Sequence, residues 1–288
     1  MHIPKTAGTS LRRLLESQFT TAETFPSLLW AQHWQQTDAQ EQSLRQRIRR
    51  TVDYRFIGGH FDYQLKGLFL PRPVRRLTVL RNPEDRALSF YHHILANTET
   101  DFFVEDATGR WHEYPRPFPS LEETLSHPVF ATMFSNTMFR QFAIDYNPEE
   151  LRAKPHRMGP HFSFPFVGAP LSKDLYPLVR ERLAKTVVGI QEHFLVSLWL
   201  FRCTLDLPIP LDAETRERPG KHLGLSGQSA AALELLRQLN VYDRWLYERG
   251  VEQFLTHVQT TAAKHGLTPP RGLNELDADF ADQIRSCP

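Results

Sequence analysis

The chain has 288 residues, and its 34 Lys and Arg against 33 Asp and Glu leave a formal net charge of +1 at pH 7. That balance argues against nucleic acid or another strong polyelectrolyte as partner. With 41% hydrophobic and 23% charged residues the chain can bury a full core, which excludes disorder and fibrous repeats and predicts a single domain over 1–288. Cys203 and Cys287 alone supply neither a disulfide framework of the secreted type nor a four-ligand zinc site, and they fit a reducing, cytoplasmic compartment. The most apolar stretch, Phe194 to Phe201, is broken by Arg202 and is far shorter than the roughly 20 residues a bilayer requires. No basic-then-apolar leader follows Met1, so no transmembrane segment is predicted.

A polar turn opens the chain. Pro4 to Ser10 runs into Leu11, Leu14, Leu15 and Phe19 at helical spacing, which predicts a loop feeding an amphipathic helix. Residues 38–50 read as a helix with an Arg-rich solvated face carrying Arg45, Arg47, Arg49 and Arg50, and Tyr54 to Gly59 as a short strand with His60 at its C-terminal edge. Leu77 to Leu80 is a buried type of strand. It ends in Arg81-Asn82-Pro83-Glu84-Asp85, where Asn82 suits an N-cap, Pro83 the first helical position, and the two acids the positive end of the helix dipole. The apolar stripe of that helix (Ala87, Leu88, Tyr91, Ile94, Leu95) leaves Arg86, Ser89 and His93 on or beside its other face.

Residues 97–120, with Trp111, Tyr114 and three prolines, read as a loop-rich insertion. Helices are predicted over 129–144 and 171–184, a buried strand over Val187 to Ile190, and a buried helix from Glu192 to Leu205. A polar loop at 212–228 precedes helices at 228–239 and 241–263, and a Pro- and Asp-rich tail follows from about 265 to 288. This alternation predicts an α/β fold with a central, mainly parallel sheet flanked by helices, and ligands sit outside the C-terminal ends of such strands.

Three polar segments fall at that position. Lys5, Thr6, Ala7, Gly8, Thr9 and Ser10 can turn backbone N–H groups and one ammonium toward a phosphate or sulfate at a helix N-terminus. The lysine precedes the glycine, so this is not a Walker loop. Arg81 at a strand end and Ser89, about 9 Å along the helix axis from Pro83, make a second anion site. His60 lies at the third. Two phosphate-sized sites imply a ligand phosphorylated at both ends.

These residues also carry a resemblance. His2-Ile3-Pro4-Lys5-Thr6-Ala7-Gly8-Thr9-Ser10 resembles the 5′-phosphosulfate loop of sulfotransferases that use 3′-phosphoadenosine 5′-phosphosulfate (PAPS). Leu80 to Pro83, continuing to Ser89-Phe90-Tyr91-His92, resembles their 3′-phosphate motif. Phe56 to His60 is similar to the segment bearing the base histidine in the carbohydrate branch that includes heparan sulfate 2-O-sulfotransferase, and Gly189 to Phe194 and Asn240 to Glu248 are similar to segments of that branch. The likeness is discontinuous and runs from residue 2 to about residue 255.

The resemblance implies a P-loop-like sulfotransferase fold, transfer of a sulfuryl group from PAPS to a hydroxyl of a carbohydrate or other acceptor, and no metal. His60 would act as base and Lys5 would stabilise the leaving phosphate, with residues 5–10 on the 5′ side and Arg81 and Ser89 on the 3′-phosphate. Lys221, in the polar loop with Arg218, Pro219 and Gly220, would close over the nucleotide. The family often has Asn and Arg where Asn136 and Arg140 stand, near nucleotide or acceptor; a plain polar helix face is the other reading. Trp111 and Tyr114 either stack on a sugar or pin their loop.

The family also has an apolar first strand before this loop, where here only Met1 stands. The expectation is a true start further upstream, the alternative a degenerate, inactive copy. Competing functions are a magnesium-dependent kinase using residues 5–10 on ATP and a non-catalytic nucleotide- or glycan-binding relative.

Overall fold

A computed structural model describes residues 1, 3–25, 55–58, 74–99, 101–144, 162–164, 170–211 and 224–286. The elements in chain order are α1 (Gly8–Glu16), β1 (Thr24–Phe25), β2 (Phe56–Ile57), β3 (Arg76–Leu80), α2 (Pro83–Ala96), β4 (Phe102–Glu105), β5 (Trp111–Glu113), α3 (Leu121–Ser126), α4 (Thr137–Ala143), β6 (Phe162–Phe164), α5 (Tyr176–Ala184), β7 (Thr186–Ile190), α6 (Phe194–Leu205), α7 (Ala230–Leu239), α8 (Val241–Lys264) and α9 (Ala281–Arg285). The fold is mixed α/β, and its parallel sheet is small. β3 and β7 pair in parallel from Arg76↔Thr186 to Leu80↔Ile190, β1 pairs with β2 in parallel, and β4 lies between antiparallel β5 and parallel β6.

Helices reach this sheet closely because side chains are missing where backbones meet. A Cβ on Gly250 of α8 would stand 2.4 Å from Leu80 Cδ1, and one on Gly189 of β7 would stand 2.8 Å from both Phe201 and Ser197 of α6. Ser197 Oγ then closes α6 onto the strand end, accepting from Ile190 N at 2.8 Å and donating to Ile190 O at 2.9 Å. Leu80, Val188 and Ile190 join Trp199, Leu246 and Phe254 in the main core. A second core gathers Leu88, Tyr91 and Ile94 of α2 with Phe102, Val104, Phe134 and Leu236.

Several expectations are corrected. Residues 97–120 are not merely a loop: Phe102 and Val104 are buried on β4, Asp106 organises the turn by accepting from the N–H groups of Thr108 and Arg110, and the chain returns as β5. Tyr114 is buried and its hydroxyl bonds Thr124 Oγ1, so it pins the segment. The predicted helix 129–144 breaks into a short 3-10 turn (Phe130–Phe134) and α4, because Asn136 adopts φ 49°. The Pro- and Asp-rich tail contributes to the main core through Leu276, Phe280 and Ile284, with Phe280 edge-on to Trp199 at 5.2 Å. Arg86 does not face away from the core: it is 1% exposed.

The burial of Arg86 has a defined cause. Its Nε lies 3.8 Å from Asp243 Oδ2 and its Nη2 donates to Phe134 O at 3.0 Å. Asp243 is fully buried and caps α4, its Oδ1 accepting from Phe139 N at 2.7 Å and its Oδ2 from Met138 N at 3.2 Å. Asn136 returns the favour to α8, its Oδ1 accepting from Tyr242 N at 2.9 Å and Asp243 N at 3.1 Å, while Asn240 Oδ1 accepts from Asn136 N at 3.0 Å. Two helix N-termini are thus capped by each other's residues. Burial pushes the Asp243 carboxyl up, and Arg86 and the two N–H groups pull it back.

Removing one member of such a buried pair leaves the other charge uncompensated. Asp243→Asn is therefore expected to lower the unfolding free energy by about 3–5 kcal/mol in urea titrations. Arg86→Met added to it should recover part of the loss, because the unpaired guanidinium is then gone.

Candidate functional site

The turn before α1 is held in an unusual backbone path. Lys5 and Ala7 have φ 68° and 60°, a region that costs a side chain of this chirality energy, so neighbours must impose it. Ile3 is fully buried, Thr6 Oγ1 donates to Ile3 O at 2.9 Å, and Arg81 Nη1 donates to Lys5 O at 3.2 Å. Ahead of the turn, the Met1 amino group donates to Leu77 O at 2.9 Å and Thr78 Oγ1 to Met1 O at 3.2 Å, so Met1 is held against β3.

Two helix N-termini flank Arg81, and they differ. The first turn of α2 is occupied: Asn82 Oδ1 accepts from Glu84 N and Asp85 N at 3.1 and 3.2 Å, and Glu84 and Asp85 add negative charge. The first turn of α1 has no acidic residue and no side-chain cap among the described residues. Positive potential from the helix end, Lys5 and Arg81 therefore converges on α1, where an anion is favoured.

Along α2, Pro83, Glu84, Arg86, Ala87, Leu88, Phe90, Tyr91 and Ile94 are buried, which leaves Asp85, Ser89 and His93 at intervals of four on the partly open face. Arg81 precedes them by one more such interval. Burial lowers the Arg81 pKa, and Asp85 and Glu192 beside it act in the opposite sense. Burial raises the Asp85 carboxyl, which Arg81 opposes. Glu192, at the end of β7, uses both oxygens here: Oε1 accepts from Asn82 N at 2.8 Å and Oε2 from Tyr247 Oη at 3.2 Å. Burial, then Glu192 and Asp85, hold the Tyr247 phenol above its ordinary range.

The predicted residues are therefore brought together in part. Arg81 and the Lys5 turn meet at the C-terminal end of β3, while Ser89 lies about two turns along α2 on its partly open face; the Thr6 hydroxyl points inward to Ile3, Gly8 and Ser10 are buried, and Thr9 is exposed. His60, Lys221 and the Arg45, Arg47, Arg49 and Arg50 patch lie outside the described residues. Asn136 belongs to the buried capping network, and Arg140 lies near enough to influence Asp243, so the nucleotide is not needed to explain them. His93, Asp85, Glu192 and Tyr247 are not among the site residues that the sequence predicts. The four-residue spacing of 85, 89 and 93 is a local signal for Asp85 and His93; no local signal assigns Glu192 and Tyr247.

No protein-family model, curated protein or solved structure matches this chain.

His93 provides a check on the geometry. Asn97 Nδ2, a donor, stands 3.2 Å from its Nδ1, which places the ring proton on Nε2. Burial and then the Lys5 ammonium push its pKa below the ordinary value of 6.5. The folded state then binds fewer protons than the unfolded chain between the depressed pKa and about 6.5, so this histidine subtracts stability as pH falls through that window. Ring NMR titration should find a midpoint below 6.5. Lys5→Met should move it part of the way back, since burial remains; an unmoved midpoint would place the Lys5 ammonium away from His93.

Proposed function

We propose that this chain is a PAPS-dependent sulfotransferase that acts on an acceptor hydroxyl, with a carbohydrate as the acceptor class. The observation that carries the reading is the hydrogen bond from Arg81 Nη1 to Lys5 O, 3.2 Å long, which joins two motifs 76 positions apart in the chain. A donor with phosphate groups at both ends matches that pairing: the 5′-phosphosulfate lies against the first turn of α1 and Lys5, and the 3′-phosphate against Arg81 and Ser89. A cytoplasmic setting belongs to the same proposal, on the two cysteines of the sequence. No helix among the described residues is long and apolar enough to cross a membrane.

The chemistry asked of the residues is modest. The acceptor oxygen attacks sulfur in line, the bond from sulfur to the bridging phosphate oxygen breaks, and the products are a sulfate ester and 3′,5′-diphosphoadenosine. Negative charge grows on the bridging oxygen, where the Lys5 ammonium stabilises it. His60 takes the acceptor proton, which a neutral imidazole can do near pH 7. Alignment by the two anion sites supplies the rest.

Calorimetry with 3′,5′-diphosphoadenosine and ADP tests the donor. Tighter binding of the former is expected, and Arg81→Ala should abolish the difference; preference for ADP would overturn the assignment in favour of a kinase. Turnover of labelled PAPS with a glycan panel tests the transfer step. His60→Ala should slow it by about 10²–10⁴-fold with nucleotide affinity retained, and Lys5→Met by about 10²–10³-fold.

A further inference from the structure

Glu192 is exposed, yet both of its carboxylate oxygens are engaged at the candidate site. An exposed carboxylate of this kind adds little to fold stability, because water competes for each contact. Its partners are not arbitrary. Asn82 N belongs to the residue that caps α2 and follows Arg81, and Tyr247 Oη comes from the face of α8 that covers the same junction. Asn82 is thus held at its N–H by Glu192 and at its side-chain and main-chain oxygens by the first turn of α2.

We infer that Glu192 is a positioning residue: by accepting the Asn82 N–H it sets the backbone from which the Arg81 guanidinium reaches the Lys5 carbonyl, and so fixes the site for the donor's 3′-phosphate. The inference rests on the reading of Arg81 as the 3′-phosphate ligand. The Lys5 carbonyl holds the far end of the Arg81 side chain and the anchored Asn82 N–H holds the backbone from which it starts, so fewer conformations remain to be lost when a phosphate binds. Glu192 also places negative charge near Arg81. Backbone anchoring and charge are separable, because glutamine keeps an oxygen for Asn82 N and loses the charge.

The experiment compares wild type, Glu192→Gln and Glu192→Ala by calorimetry with 3′,5′-diphosphoadenosine and with adenosine 5′-monophosphate. The ratio of the two affinities isolates the 3′-phosphate. Positioning predicts that the ratio falls about tenfold in Glu192→Ala, is largely kept in Glu192→Gln, and that the melting temperature scarcely changes in either. An unchanged ratio in Glu192→Ala overturns the inference, as does a Glu192→Gln variant as impaired as the alanine one, which would assign the effect to charge.

A second measurement is made without nucleotide. The Arg81 guanidinium, held on Lys5 O, should show resolved Nη–H signals by nitrogen-15 NMR in wild type and Glu192→Gln, broadened in Glu192→Ala. If wild type fails to prefer the diphosphate, the sulfotransferase reading fails by itself. The Arg81 signals then decide on Glu192: no change between wild type and Glu192→Ala refutes its positioning role.

Discussion

The buried contact between Arg86 and Asp243 is the constraint around which the rest is arranged. Neither charge can reach water, so each must stay beside the other, and this ties the middle of the first turn of α2 to the start of α8. The neighbouring residues of α8 extend the clamp outward: Arg244 pairs with Glu84, and Tyr247 meets Glu192, which holds Asn82. Positions 243, 244 and 247 share one helical face. The strand-to-helix junction that carries Arg81 is therefore gripped from its buried side to its exposed side by one helix.

Capping explains why the helix expected over 129–144 breaks at Asn136 and α4 begins at Thr137. Asn136 can accept the N–H groups at the start of α8 only by leaving the helical path, and Asp243 can cap α4 only if a helix begins there. A continuous helix over 129–144 would deprive both carboxylate oxygens of Asp243 and the amide oxygen of Asn136 of these N–H donors. The left-handed backbone of Asn136 is the smaller cost.

Electrostatics then separates two helix ends that look alike in outline. α2 has already satisfied its first turn with Asn82 and two acids, whereas α1 has a lysine in its leading turn and no acid in its first. An anion is therefore repelled from one and drawn to the other. Arg81 lies between them, with Asp85 and Glu192 beside it and its Nη1 on Lys5 O. The site gains its sign from α1 and its geometry from the α2 junction.

Local pattern alone determined the strands read at Leu77 to Leu80 and Val187 to Ile190, the Asn-Pro start of α2 and the long C-terminal helices, and it nominated Lys5 to Ser10, Arg81 and Ser89 as candidate anion residues. These follow from short-range causes: apolar runs, caps, proline geometry and the helix dipole. Burial of Arg86, the break at Asn136, the pairing of β4 with β5, the packing of Phe280 against Trp199, and the gathering of Glu192 and Tyr247 around Asn82 were decided by tertiary structure. Each depends on a partner tens of positions or more away, or, for Phe280 and β5, on a core that local composition disguises with polar and proline residues. A polar side chain in a helix reads as surface until the charge that neutralises it is known, and for Arg86 that charge stands at position 243.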